Sequence, residues 1–235
     1  MSSPSDSPPD VGVVVVAAGA GVRAGPGDLK QFRPIAGVPL LLRALRPFTS
    51  HPAVTQVVVT LPAGVADQPP DWLVPLRGPR LTLVAGGATR AASVRAGLTA
   101  LRPDARVALI HDAARPFVSR ETIDRVIGRA RAGVGAVAAV PVSDTIKEVA
   151  GPNVVTRTVS RNGLWRAQTP QGFPRTMLEE AYGVLDGSAP APTDDAELCE
   201  RAGFPVEVVP DSADNVKVTT PEDFRIAEAL AREWR

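Results

Sequence analysis

Cysteine is almost missing from this chain of 235 residues: Cys199 stands alone, so no disulfide can form within the chain. With no His or Cys cluster beside it, a structural zinc site is argued against as well. That scarcity fits a reducing compartment, and the expected location is cytoplasmic. An excess of charge of either sign is missing too. The 26 Lys and Arg nearly cancel the 25 Asp and Glu, and no block of like charge appears. This speaks against a nucleic-acid surface and makes any basic site a local one. No apolar run reaches membrane-spanning length, so no membrane segment is expected. The run over residues 11–22 ends in small residues, as a secretory leader would. The preceding MSSPSDSPPD, however, has no Lys or Arg and carries Asp6 and Asp10, the reverse of a leader's basic flank. Residues 1–10 read instead as a disordered tail.

What the chain has in abundance is valine. Strand-length runs recur at residues 11–17, 55–61, 80–85, 106–111 and 135–142, and between most of them lie helical patterns, VPLLLRALRPF, TRAASVRAGLTAL and SRETIDRVIGRAR. Strands without polar alternation are buried on both faces, and their alternation with helices gives a mainly parallel sheet covered on both sides. The expected fold is α/β, a doubly wound Rossmann-like sheet. A hydrophobic content of 44% over this length suffices for one core, hence a single domain over residues 11–235. The stretch DTIKEVAGPNVVTRTVSR breaks the pattern, because two short alternating strands flank a Gly-Pro-Asn turn with no helix to cover them. A β arm projecting over about residues 143–161 is expected. After it come helices near PRTMLEEAYGVLD and DDAELCERAG, a strand VEVVP, and a last helix with Thr220 as N-cap and Pro221 at its first position.

After the first strand lies AAGAGVRAGPGDLKQF, small residues carrying two cations, Arg23 and Lys30. Gly19, Gly21 and Ala24 satisfy the dinucleotide pattern G-x-G-x-x-G/A. That motif needs an acid at the end of the second strand, yet no Asp or Glu occurs between Asp28 and Asp67. A Walker A loop needs Lys followed by Ser or Thr, whereas Lys30 is followed by Gln31. A third reading is an open loop whose backbone N–H groups wrap a triphosphate while Arg23 and Lys30 reach it from two sides. On composition alone, a surface loop with two solvated cations accounts for the stretch equally well.

More of the chain decides the matter. The loop's AAG-x-G-x-R ahead of Lys-Gln is followed in order by GVPLL, GGATRAASVRAGL (86–98), HDAARPFV (111–118), PVSDTIK (141–147), SRNGLWRAQTPQGF (160–173), TDDAE (193–197) and ADNVKVTTPED (213–223). This ordered set resembles the 2-C-methyl-D-erythritol 4-phosphate cytidylyltransferases, from Val13 to the last helix. The resemblance implies a fold of the nucleotide-diphospho-sugar transferase type and attack by the phosphate of methylerythritol phosphate on the α-phosphorus of CTP, expelling pyrophosphate. It further implies catalytic cations at Arg23, Lys30 and Lys217. CTP would be bound by Ala17, Ala18, Gly19, Ala20 and Gly21 in the loop. Gly87, Ala88, Arg90 and Ser93 would join them around the pyrimidine, and Asp112 and Ala113 beside the ribose. The acceptor would be held by Arg115, Thr145, Arg161 and Thr169, with Lys217 shared. Mg2+ is the implied cofactor, with Asp112 as its candidate ligand. A homodimer is also implied, in which the arms of two subunits interlock.

Several of these residues have a plainer reading as well. Lys217, between two valines, would be a snorkelling strand residue; Asp112 would be a turn or cap; Arg161 would form a surface salt bridge of little worth. Three positions depart from the family's pattern: Leu29 where Pro is common, Ala24 where a larger residue often follows the arginine, and Ser160 where an acid often precedes Arg161. Two other functions compete. One keeps CTP and changes the acceptor, for example to ribitol 5-phosphate; the other is a nucleotide-binding regulator without catalysis. Against the latter stands the retention of Arg23, Lys30, Asp112 and Lys217, because simple binding would tolerate losing transition-state cations.

Overall fold

The structure is a computed structural model that describes residues 9–19, 29–184 and 190–234. The expected tail lies outside the described residues except for Pro9 and Asp10, and so do Ala20, Gly21, Arg23 and Ala24.

From the N-terminus come β1 (Val11–Val16), a hairpin of β2 (Pro34–Ile35) and β3 (Val38–Pro39), α1 (Leu40–Thr49), β4 (Val54–Leu61), α2 (Ala63–Asp67), β5 (Leu81–Ala85), α3 (Arg90–Thr99) and β6 (Val107–Asp112). The second half comprises α4 (Arg120–Arg131), β7 (Gly135–Pro141), the arm strands β8 (Ile146–Ala150) and β9 (Val154–Val159), then β10 (Trp165–Pro174), α5 (Arg175–Gly183), α6 (Asp195–Arg201), β11 (Val206–Pro210) and α7 (Pro221–Glu233). Seven strands form one sheet in the order β11-β7-β10-β6-β1-β4-β5. All are parallel except β10, which pairs antiparallel with both β6 and β7. The mainly parallel doubly wound sheet is therefore as the valine runs predict.

Strand β1 shows why the runs lack polar alternation. Val13 and Val15 enter one core with Leu41 and Phe48 of α1 and Ile123 and Val126 of α4. Val14 faces the opposite core, with Val94 and Leu98 of α3, Leu178 of α5 and Leu198 of α6. Both faces exclude water, so every position is apolar. A methyl group at Gly97 would overlap Val14 Cγ1, and this glycine lets α3 settle directly on β1. Leu98, next to it, is buried at the contact. A third cluster, Ile35, Leu40, Phe117, Val218, Phe224 and Ala227, ties α7 to the small hairpin and to the segment carrying Lys217. The last helix starts as expected: Thr220 Oγ1 accepts from Asp223 N–H, and the Asp223 carboxylate accepts from the Thr220 N–H, a capping box.

The arm is an antiparallel pair outside the main sheet. Gly151 (φ 57°) and Asn153 (φ 68°) take the left-handed conformation at its tip, which is why those residue types flank the proline there. Ten-residue β10 is the element that periodicity does not reveal, since WRAQTPQGFP holds two prolines, a glycine and two glutamines. Its pairing bulges between Ala167 and Gln171. Among the described residues, no helix is long and apolar enough to cross a membrane.

Candidate nucleotide site

The chain leaves β1 toward β4 and β5 on one side and returns to β6 on the other. The sheet order reverses between β1 and β6, where open α/β sheets offer a crevice at the carboxyl ends of their strands. A cavity of about 410 Å³ lies there. Ala17, Ala18 and Gly19 line it from the end of β1, Gly87, Ala88, Arg90 and Ser93 from the start of α3, and Asp112 and Ala113 from the end of β6. Lys30 and Lys217 enter from segments distant in sequence. The structure thus gathers eleven of the sequence-derived site residues at one crevice. Arg23, Ala20 and Gly21 lie outside the described residues.

Local chemistry holds each wall. Gln31, buried within the short helix Lys30–Phe32, donates from Nε2 to the Ala17 carbonyl at 2.8 Å, pinning the lysine's turn to the end of β1. Leu29 has φ −49° and ψ 126°, a conformation that proline would also take. The departure from the family pattern therefore leaves the folded backbone as a proline would set it, and its cost is carried by a less restricted unfolded chain. On the α3 side, Thr89 caps the helix by accepting from Ala92 N–H. Ser93 Oγ accepts from Gly87 N–H at 3.1 Å and lies 2.9 Å from the Thr89 carbonyl, to which it donates. Side chains at Gly86 and Gly87 would overlap Ala18 and Ala92 respectively. Gly86 brings the turn against the residues after β1, and Gly87 lets it fold closely over the first turn of α3.

Charge is concentrated on the floor. Asp112 Oδ2 accepts from Lys217 Nζ at 2.7 Å, and its Oδ1 lies 3.4 Å from Arg90 Nε. Burial works to raise the Asp112 pKa, but Arg90, Lys217 and Arg115 outweigh it and hold the carboxyl well below the usual carboxylate range. Lys217 does not sit in a strand. The backbone beside it is fixed by Val218 N–H donating to the Ala114 carbonyl at 2.8 Å, which corrects the snorkelling-strand reading. Asp112 is also more than a cap: its N–H donates to Thr169 Oγ1 at 3.0 Å. Thr169 Oγ1 in turn lies 3.1 Å from His111 Nδ1, while His111 Nε2 lies 2.9 Å from the Arg115 carbonyl. A carbonyl only accepts, so the ring carries its proton on Nε2 and accepts from Thr169 on Nδ1. Burial pushes the His111 pKa down to about 4 and keeps the ring neutral.

Two residues expected to contact the acceptor, Thr169 and Arg115, are buried beneath the cavity floor. Thr169 is buried in this relay, and Arg115, also buried, donates from Nη1 to the Asn215 carbonyl at 2.7 Å. Asn215, with no exposed surface, donates from Nδ2 to the Thr169 carbonyl at 2.8 Å and to Asp211 at 2.7 Å. It anchors the segment that delivers Lys217, a role no periodicity announces. Thr145 and Arg161 lie apart from the cavity, exposed at the root of the arm. Arg161 donates to the Ser143 carbonyl. Ser160 Oγ accepts from Asn162 N–H at 3.4 Å, so this serine shapes the turn where an acid would have faced the arginine.

Among the described residues, no group of three or more His, Cys, Asp and Glu side chains is arranged to hold a metal. Asp112 is the one carboxylate among the described residues lining the cavity. A single hard oxygen donor of this kind suits Mg2+, which commonly takes one or two carboxylates and completes its shell with substrate phosphates and water.

Residues 11–233 match the sequence model of a family described as 2-C-methyl-D-erythritol 4-phosphate cytidylyltransferase. The chain is 39% identical over 231 residues to the protein of that name from Syntrophus aciditrophicus, covering 96% of this chain and 97% of the relative. It is 41% identical over 239 residues to the one from Streptomyces coelicolor, covering 97% of this chain and 87% of the relative. The crystal structure of the enzyme of that name from Thermus thermophilus superposes with a TM-score of 0.80 at 36% identity, covering 95% of this chain and 99% of that one.

Proposed function

The chain belongs to the 2-C-methyl-D-erythritol 4-phosphate cytidylyltransferase family, and from that premise we propose that it transfers the cytidylyl group of CTP to 2-C-methyl-D-erythritol 4-phosphate through the crevice between β1 and β6. The observation that carries the reading is Lys217 held at 2.7 Å on Asp112, in a cavity that Lys30 also lines. A phosphate monoester with a second pKa of about 6 is largely dianionic near neutrality, so the nucleophile needs no general base. The obstacle is repulsion between that dianion and an anionic triphosphate. Catalysis accordingly consists of positioning and of cations fixed before the reaction.

In this mechanism Lys30 and Arg23 take the triphosphate, and Lys217 faces the α-phosphoryl group and the arriving acceptor. Backbone groups of Gly87 and Ala88, set by the Ser93 hydroxyl, read the pyrimidine edge. Asp112 holds Lys217 and would also hold Mg2+ with the phosphates of CTP; when bound, the ion spreads their negative charge. Arg115 and Thr169 act from beneath by positioning Lys217 and Asp112. Thr145 and Arg161 hold the acceptor from the arm of a second subunit in a homodimer. That arrangement is supported by the exposed valines of the arm, Val149, Val154 and Val155 at 54%, 61% and 53% exposure, which a partner surface would cover.

The test is pyrophosphate release from CTP and Mg2+ with a panel of polyol phosphates. Turnover with methylerythritol phosphate at least about tenfold above that with ribitol 5-phosphate is the expected outcome, since mispairing of the polar groups in a built site costs at least that factor. Equal turnover across the panel would break the assignment of the acceptor.

A further inference from the structure

Behind the nucleotide cavity stands a pair that none of the roles above uses. Asp195, the first residue of α6, has 0% exposure. Its Oδ2 accepts from Arg90 Nη1 at 2.7 Å and its Oδ1 from the Tyr182 hydroxyl at 2.7 Å. Its backbone N–H donates to Gln171 Oε1 at 3.0 Å. Tyr182, also buried, keeps its proton because burial and the neighbouring carboxylate both push its pKa up. It is therefore a donor at any working pH. From Arg90 the contacts continue to Asp112 and from Asp112 to Lys217. Burial pushes the Asp195 pKa up, while the Arg90 guanidinium at 2.7 Å and the Tyr182 hydroxyl act against that rise. With the carboxyl ionised against Arg90, charge alternates in sign along this line, from the protein interior to the cavity.

As a device for stability the line makes poor sense, since well-packed apolar residues fill such a space at no greater cost than a buried ion pair. Its direction makes better sense. The guanidinium of Arg90 is anchored at its Nη1 end on a fully buried carboxylate that Tyr182 also holds, leaving its Nε end facing Asp112. An arginine without that anchor, at the mouth of an open cavity, would sample several rotamers.

We propose that Asp195 and Tyr182 are positioning residues for the nucleotide half of the reaction: together they fix Arg90, and through it the Asp112 carboxylate that seats Lys217. The inference rests on the reading of the cavity as the CTP site.

The test uses the full chain. Asp195→Asn keeps the shape of the site and the bond from Tyr182 while removing the charge that holds Arg90. It is expected to weaken CTP binding, read by calorimetry and by KM, about tenfold or more, with the KM for methylerythritol phosphate within about twofold of wild type. Tyr182→Phe should act in the same direction by about threefold, and the double variant should be no worse than Asp195→Asn alone, because tyrosine acts only through the carboxylate. A merely structural role would raise both Michaelis constants together and add between the two variants. Either result overturns the proposal, as does CTP affinity unchanged in Asp195→Asn. Should Asp195→Asn fail to fold, Tyr182→Phe, which removes one oxygen, decides: unchanged CTP affinity at unchanged Tm overturns the pair's role. Wild-type protein that binds CTP yet transfers nothing would sink the activity reading instead and leave the calorimetric comparison standing.

Discussion

The floor of the cavity and the arm carry comparable numbers of charged groups and dispose of them in opposite ways. On the floor, Asp112, Arg90, Asp195 and Lys217 are joined in one line, and Thr169, His111, Arg115 and Asn215 brace it from below. On the arm, Glu148 pairs with Arg157 at 2.6 Å and Lys147 with Thr158 at 2.6 Å, all at the surface, beside valines that the described residues leave more than half exposed. A region finished within one chain can be rigid before any ligand arrives. A region left unfinished needs a second surface to give it shape, and an isolated two-stranded hairpin is marginal on its own. The nucleotide half of the site belongs to the first kind and the proposed acceptor half to the second.

The strongest blow to that contrast should come from the cations. Lys30→Ala and Lys217→Ala are each expected to lower kcat on the order of a hundredfold or more, by loss of stabilisation made mainly in the transition state. Steady-state kinetics would assign either lysine to ground-state binding if kcat held and only the KM for CTP rose.

Next in size is a pH effect confined to the floor. Burial lowers the His111 pKa from 6.5 to about 4. Between those values the unfolded chain binds a proton that the folded chain refuses. Stability is therefore complete above pH 6.5, falls as pH drops toward 4, and loses at most about 3 kcal/mol from this group. Urea titrations at pH 7 and pH 4.5 should show the loss, and a His111→Asn variant, weaker throughout, should show a flatter slope. Equal slopes would mean that the ring titrates normally and that the floor is less closed than its geometry shows.

The arm is expected to respond more gently. Arg161→Ala should raise the KM for methylerythritol phosphate about tenfold, the scale of one charge-assisted contact, with CTP affinity nearly unchanged. Mixing Lys30→Ala and Arg161→Ala subunits sharpens the point, because a site shared between chains regains activity in the mixed dimer. Verified subunit exchange without any recovered activity would place both residues in one chain's site. Smallest of all is Glu148→Ala, an exposed pair whose loss should cost less than about 1 kcal/mol in the free chain. A larger drop in unfolding free energy that grows with protein concentration would mean that a second copy, as in the proposed homodimer, buries it.

Where the sequence is legible, it is so because one physical demand acts on every residue of a segment. Val13 to Val16 must all be apolar since both faces of β1 are covered, and Thr220 with Pro221 and Asp223 announces α7 because a helix start has few solutions. Strand β10 is illegible for the converse reason. Gln168 and Gln171 are buried there with partners more than twenty residues away, Asn215 at 3.1 Å and Asp194 at 2.8 Å, so no local pattern prepares for them. The site divides likewise. Small residues and cations after β1 point to a phosphate by themselves, and the motif set finds Asp112 and Lys217. Asp195 is hidden by its neighbour: Asp194 caps α6 by accepting from Glu197 N–H at 2.8 Å, and an Asp-Asp pair at a helix start reads as capping and nothing more.

Cys199 sits in the core between α6 and the sheet with no exposed surface, and burial, aided by Asp195, pushes its thiol up to about 12. Its thiolate fraction near neutrality is negligible, and no reagent can reach it in the folded protein. The molecule is thereby blank to thiol chemistry while native, so a cysteine introduced at exposed Val154 would be its one reactive sulfur. A spin label or fluorophore placed there would report whether the arms of two chains meet, as the proposed homodimer requires, against a background that contributes no signal.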